Sequence, residues 1–380
     1  MKGRDGSTVE ASMMRRKNLR TSTAATLAAL MATAVLGASA GTGHAEATPG
    51  PKWVPAKNVL SGDRAHGSAA LLGDGRVLVA GGVGLNPSSA DLYDPRTRSF
   101  TPTADMAFNR GFYTLTRLLD GTVLAPGGFN DFNQQLLRSA EVYHPDTGSW
   151  TTTGKLHDVR DAYASALLSD GTVLVAGGFP RRSLATAEIY HPDTGRWTPA
   201  ASMHVGRAAA TATVLADGRV LVAGGEARRE LAAAEIYDPV TGTWTETGSM
   251  NVARAEHTAT LLPDGTVLVA AGGTPTGRTA TAEVYDPSTG TWTLVGSLAV
   301  ARESGIAALL GDGTVLVSGG QGAGFQALRS AEIYDPASGT WSPGPDMNQA
   351  REDFTATVLG TGNVLVAGPG NTAERYVPGP

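Results

Sequence analysis

Residues 160–197 are RDAYASALLSDGTVLVAGGFPRRSLATAEIYHPDTGRW, and this stretch decides the fold. It begins at Arg160, and Asp170-Gly171 follows between two short apolar runs. Asp-Gly in this setting indicates a two-residue hairpin turn, because both central turn positions need a positive φ. An A-E-I-Y segment and a tryptophan segment complete four short β-rich segments without helical periodicity. The stretch therefore predicts an antiparallel sheet of four strands, named a to d in chain order.

The same unit occurs seven times along the chain. Its arginine recurs every 46 to 50 residues, at Arg64, Arg110, Arg160, Arg207, Arg254, Arg302 and Arg351. Four strands per unit and a fixed repeat of this length are typical of a propeller blade. We therefore predict an all-β fold, a seven-bladed β-propeller of four-stranded antiparallel blades that start near these arginines.

The N-terminal and C-terminal segments together supply one complete repeat unit. The last unit has no tryptophan segment after Tyr376, whereas residues 53–56 precede the first arginine and resemble residues 197–200. We predict that this N-terminal strand is strand d of blade seven, which closes the ring and removes its open edge.

These motifs resemble the repeat of the kelch family, within the galactose-oxidase/kelch superfamily, and the chain looks like a secreted bacterial-type kelch protein. The resemblance covers residues 53–376, and Met203 to Arg207 and Met250 to Arg254 show the typical lead-in to the arginine. It implies a propeller that recognises partners, and in kelch relatives the arginine position can bind acidic peptides. Radical copper oxidases of the superfamily need a cysteine crosslinked to a tyrosine, so the absence of cysteine here excludes that chemistry.

The N-terminus has the pattern of an export signal. Basic residues at 15–20 precede an apolar segment over 23–36, and small-residue cleavage sites end at Ala40 and Ala45. We predict a secreted protein with a signal peptide over 1–45, a short linker over 46–52 and the propeller over 53–380. Asn18 stands where a twin-arginine signal prefers an apolar residue, which favours the general secretory (Sec) route.

Composition excludes several function classes. The chain has no cysteine, which rules out disulfides, thiolate metal sites and thiol nucleophiles. Residues 1–45 hold six of the 30 Lys and Arg but two of the 35 Asp and Glu, so the mature chain is acidic. An acidic chain argues against nucleic-acid binding. The apolar segment over 23–36 is too short to span a bilayer, and no other run is longer. We predict no membrane span in the mature protein, no cofactor and no metal.

The residues that the repeat does not explain are concentrated in blades two and three. Aromatic rings interleaved with amides and arginines suit a carbohydrate or peptide ligand, an anionic one where the arginines are free. The predicted ligand-binding set, on the face that carries the d–a and b–c loops, is Arg64, Arg110, Phe112, Tyr113, Phe129, Asn130, Asp131, Phe132, Arg160, Tyr163, Phe179, Arg181, Arg182 and Arg207. The structural alternative is that the rings pack a long loop onto its own blade and that the arginines pair with neighbouring carboxylates or carbonyls.

A second function class is a secreted carbohydrate-active enzyme with lyase-like acid–base chemistry. It would use Tyr113 or Tyr163 with His66, because a tyrosine beside arginines can have a lowered pKa. His66 and His257 are the histidines nearest the predicted channel, but no histidine pair has metal-ligand spacing. The pattern favours an extracellular binding module over this enzyme.

Overall fold

The computed structural model describes residues 50–179 and 182–379, which form seven four-stranded antiparallel sheets. The predicted signal peptide with Ala40 and Ala45, residues 46–49 of the linker, and Arg181 lie outside the described residues. In blades one to three, strands a to d are Ser68–Leu71, Val77–Ala80, Ala90–Asp94 and Ser99–Thr103; Thr116–Arg117, Val123–Pro126, Ala140–His144 and Ser149–Thr153; and Ala164–Leu167, Val173–Ala176, Ala187–His191 and Arg196–Ala200.

Blades four to seven repeat the pattern. Their strands are Thr211–Val214, Val220–Ala223, Ala234–Asp238 and Thr243–Thr247; Thr258–Leu261, Val267–Ala270, Ala282–Asp286 and Thr291–Val295; Ile306–Leu309, Val315–Ser318, Ala331–Asp335 and Thr340–Gly344; and Thr355–Val358, Val364–Ala367, Ala373–Val377 with Lys52–Pro55. The b–c loops add two small hairpins and a 3-10 turn, at Phe129–Asn130 with Gln135–Leu136, at Gly273–Thr274 with Gly277–Arg278, and at Ala323–Phe325.

The burial of each strand follows from its place in the blade. Strand b is buried along its whole length in every blade, because a neighbouring blade covers each of its faces. A continuous apolar run such as V-L-V-A suits a strand buried on both faces. Strand a of each blade lies beside strand a of the next, so the seven innermost strands surround a central channel.

The predicted ring closure is confirmed. Strand Lys52–Pro55 pairs with Ala373–Val377, and Trp53 lies opposite Tyr376 with ring centroids 5.4 Å apart. Its indole Nε1 donates to the carbonyl of Pro345 in blade six, 2.8 Å away. The tryptophans of blades two to six make the same bond to the preceding blade, so Trp53 fills a normal strand d position.

Blade one replaces this bond with another. Phe100 stands at the tryptophan position and is buried, with its ring centroid 5.0 Å from that of Tyr93. The side-chain amide of Asn58 accepts from Phe100 N and donates to Phe100 O, at 2.7 and 2.8 Å. Asn58 therefore joins blades seven and one where an indole is missing.

Within the described part of the chain, no helix is both long enough and apolar enough to cross a lipid bilayer.

Candidate functional site

The d–a and b–c loops emerge on one side of the propeller because successive strands alternate in direction. We call this side the loop face. Each strand a begins here, four to six residues after its blade arginine. Positions next to the arginine are written +1, +2 and +3.

The seven blade arginines are buried ion-pair partners. Each is at most 2% exposed, and its guanidinium lies 2.5 to 3.0 Å from a carboxylate in strand c of the same blade. The carboxylates are Asp91, Glu141, Glu188, Glu235, Glu283, Glu332 and Glu374.

These carboxylates also hold the d–a loops. Glu235, for example, accepts from the backbone N–H of His204 at 2.7 Å and from its ring nitrogen Nδ1 at 2.9 Å. Burial raises the pKa of the Glu235 carboxyl, but the hydrogen bonds from His204 and Arg207 outweigh it and hold the pKa below its ordinary value. The carboxylate is therefore ionised and belongs to a closed network.

The interpretation of the arginines as a charged ligand surface needs correction. Arg64, Arg110, Arg160 and Arg207 cannot meet an anionic ligand, because each is enclosed and neutralised by its own blade. The signal that identifies the partner was present in the sequence, since the glutamate of A-E-[VI]-Y recurs with the arginine. It lies 23 to 31 residues from the arginine, in strand c of the same blade, so it is not a sequence neighbour.

The +3 tyrosines of blades two and three bond to the preceding blade. The hydroxyl of Tyr113 donates to Ala80 O at 2.9 Å, and that of Tyr163 donates to Pro126 O at 2.5 Å. Both tyrosines are buried. A Cβ added at Gly81 would lie 2.6 Å from the Tyr113 hydroxyl, which explains the glycine.

The acid–base role for these tyrosines also needs correction. Burial raises the pKa of Tyr113, and it raises the pKa of Tyr163 to about 12, in each case more than the nearby arginines lower it. A neutral, enclosed phenol bonded to a backbone carbonyl is not a general base near neutral pH. The enzyme alternative loses the residues on which it depended.

The +2 residues form a ring at the mouth of the channel. All seven have a φ between 48° and 57°. In blades one to six, the backbone N–H of the +2 residue donates to the carbonyl of the +2 residue in the preceding blade. This mouth ring consists of His66, Phe112, Ala162, Ala209, Glu256, Ser304 and Asp353. Left-handed backbone is costly for residues with a Cβ, and the circumferential bonds hold it in place.

The mouth ring has an apolar half and an acidic half. His66 stacks on Phe112 with ring centroids 3.9 Å apart, and Phe129 meets Phe112 edge-on at 6.5 Å. Across the channel, Ser304 Oγ donates to Glu256 Oε2 at 2.8 Å. The +1 and +2 positions of the seven blades hold five acidic residues, at 161, 256, 303, 352 and 353, and neither lysine nor arginine.

The aromatic residues of the predicted ligand-binding set differ in their exposure. Phe112 and Phe129 are buried in the apolar half of the mouth, Phe179 is half-buried, and Phe132 is exposed at the tip of its b–c loop. Arg182 is exposed in the b–c loop of blade three. The blade two loop is shaped by its own polar residues.

Asn130 and Asp131 fix that loop. The side-chain oxygen of Asn130 accepts from Phe132 N at 3.1 Å, and Asp131 Oδ2 accepts from Gly84 N of blade one at 2.9 Å. Two neighbouring b–c loops are thereby joined. Leu85, Phe132 and Phe325, which we call the loop rim, project from three b–c loops with exposures of 79%, 89% and 66%. Arg278 lies over the Phe325 ring, 4.5 Å from its centroid.

The remaining candidate histidine is structural. His257 is buried, its Nε2 lies 3.0 Å from Thr211 Oγ1, and burial lowers its pKa to about 3. Among the residues that the structure describes, no three His, Asp or Glu side chains are grouped so as to hold a metal ion.

Comparison with known proteins agrees with this architecture. The family model described as "Kelch motif" matches five segments that together exceed half of the chain, residues 117–156, 162–204, 207–251, 256–299 and 304–348. No curated protein matches the chain significantly. A solved structure titled "Structure of YjhT" is similar in fold, with a TM-score of 0.60 and 16% identity, over 74% of this chain and 97% of that one.

Proposed function

Since the chain belongs to the kelch family, we propose that it is an exported recognition module that binds a carbohydrate or peptide ligand through its loop face. Export is supported by the signal-like residues 1–45. The observation that carries the binding role is the loop rim, whose exposed apolar side chains project from three b–c loops on the face that carries the partly acidic channel mouth. Exposed apolar groups bordered by polar ones are typical of interaction sites.

Among the described residues, the opposite face has no comparable group of exposed apolar side chains around a channel mouth. Its a–b turns repeat Asp-Gly, and most of its c–d turns carry the Asp-Pro hairpin, all bonded within themselves. Leu119 and Val240 are exposed there, but they lie singly on blades two and four. These two residues therefore provide matched controls for the rim.

The test is a glycan and peptide array probed with the mature protein. Phe132→Ala and Leu85→Ala are expected to reduce capture of the recognised ligand, whereas Leu119→Ala and Val240→Ala are expected to leave it unchanged. All four side chains are exposed, so each variant should keep the unfolding temperature of the parent. Equal capture by rim and control variants would reject the loop face as the binding surface.

A further inference from the structure

The acidic half of the mouth ring contains a carboxylate that its surroundings do not satisfy. The Asp353 side chain is 8% exposed, and its Oδ1 accepts no hydrogen bond from any residue within the described ranges. Its other oxygen, Oδ2, lies 3.5 Å from His66 Nε2. A buried carboxylate oxygen without a donor is costly, and such a group in a native fold calls for an explanation.

The neighbouring carboxylates are already engaged. Arg278 pairs with Glu303 at 2.7 Å and also hydrogen bonds to Gln321. Gln321 in turn donates to Glu352 Oε2 at 2.5 Å. Glu303 and Glu352 therefore have partners in blades five and six. No described side chain of those two blades donates to Oδ1 of Asp353.

Asp353 belongs to the mouth ring, and its carboxylate contacts the next blade, where Oδ2 lies 3.5 Å from His66 Nε2. Its charge raises the pKa of Glu256, which belongs to the mouth ring two blades away. His66, whose ring is stacked on Phe112, is the residue in contact with the Asp353 carboxylate. A buried carboxylate therefore adjoins a stacked aromatic pair and belongs to the same mouth ring as a second carboxylate, Glu256.

We propose that the channel mouth binds an ammonium group of the ligand, with Asp353 and Glu256 as its charge partners. An ammonium donates to carboxylate oxygens, and the carbon atoms beside it pack on aromatic rings. A lysine side chain and an amino sugar both carry an ammonium group. A peptide and a carbohydrate, the two ligand classes of the proposed function, can therefore both bind in this way. This inference rests on the loop face being the binding surface.

Proton release should accompany binding. Burial, Glu352 and Glu303 raise the pKa of Asp353 well above its ordinary value. The pKa of Glu256 is also raised, by burial and by the neighbouring acids Glu303, Asp353 and Glu226. The hydrogen bond from Ser304 lowers the pKa of Glu256, but by less. His66 is the basic group that faces Asp353, and Arg278 is held by Glu303. An arriving cation favours the ionised carboxylates, so binding should strengthen as pH rises.

The probes are two charged molecules and their neutral counterparts. Glucosamine trisaccharide is compared with the N-acetylated trisaccharide, and a Gly-Lys-Gly peptide with its side-chain-acetylated form. Affinity and protons released are measured by calorimetry in buffers of different ionisation enthalpy. We expect one charged probe to bind at least about tenfold more tightly than its acetylated form, and the better probe identifies the source of the ammonium.

Variants decide whether Asp353 is responsible. Asp353→Asn and Glu256→Gln should each abolish the preference for the charged probe and the proton release. Glu246→Gln, on an exposed position of strand d, makes the same charge change and should alter neither. No preference in the parent protein, or a preference that survives both variants when they melt like the parent, would overturn the proposal. If array capture still depends on Phe132 in that case, the proposed function stands and the ammonium site alone is lost.

Discussion

At the scale of single residues, the buried arginine–carboxylate pairs are structural, and Arg254→Ala should show this. The substitution leaves Glu283 buried without its 2.8 Å partner, and removing one member of a buried pair costs about 3–5 kcal/mol. Denaturant unfolding of the variant should show a loss of this size. The exposed Arg196 is the control, because Arg196→Ala should stay within about 0.5 kcal/mol of the parent.

The mouth carboxylates should oppose stability. Because burial and neighbouring acids raise the folded-state pKa of Glu256 above its ordinary value of 4.5, the folded state holds more protons than the unfolded state between the two pKa values. Stability therefore falls as pH rises through that interval. We expect Glu256→Gln to raise the melting temperature at pH 8 and to change it little at pH 4. A variant that is less stable at pH 8 than the parent would contradict this sign.

At the scale of elements, the N-terminal strand holds the ring closed. Deleting residues 46–56 removes Trp53 from Tyr376 and its bond to Pro345, and it exposes strand Ala373–Val377 as an edge. Exposed edges invite pairing with other chains. Size-exclusion chromatography should show loss of the soluble species seen for the parent. A truncated chain that elutes and melts like the parent would show that closure is dispensable.

Sequence reasoning succeeded where the repeat carries the information. The strands and the closure by Trp53 follow from the repeat, and the structure confirms them. The Asp-Gly turns lie where the repeat places them, but the two-residue turn with two positive φ angles is wrong, because in each turn the glycine has a positive φ and the aspartate does not. Sequence reasoning also failed at the +2 and +3 positions. There the Phe112 ring packs against His66 and Phe129, whereas the Tyr113 hydroxyl bonds to Ala80 of the preceding blade. The left-handed backbone at Phe112 accompanies this difference, and the sequence did not predict it.

The partly acidic mouth was also hidden from the sequence for a physical reason. Glu256, Glu303 and Asp353 come from three blades and are about 50 residues apart from one blade to the next, so ring geometry alone brings them together. The excess of aromatic residues in blades two and three drew attention to that sector instead.

At the scale of the whole molecule, export predicts a shortened N-terminus. Mass spectrometry of the protein recovered outside the producing cells should find a chain that begins at Gly41 or Glu46, after cleavage at Ala40 or Ala45. Replacement of Arg15-Arg16 by two lysines should not block export if the general secretory route is used. A full-length chain retained in the cytoplasm would contradict the proposal.

The most direct measurement of the recognition role is hydrogen–deuterium exchange of the mature protein with and without the ligand that the array identifies. The seven blades provide an internal reference, because each presents equivalent turns on both faces. We expect slower exchange in the b–c loops that carry Leu85, Phe132 and Phe325 and in the mouth ring. The c–d turns, such as residues 144–148 and 191–195, should exchange at unchanged rates. Protection confined to those turns would show that the loop face is not the binding surface.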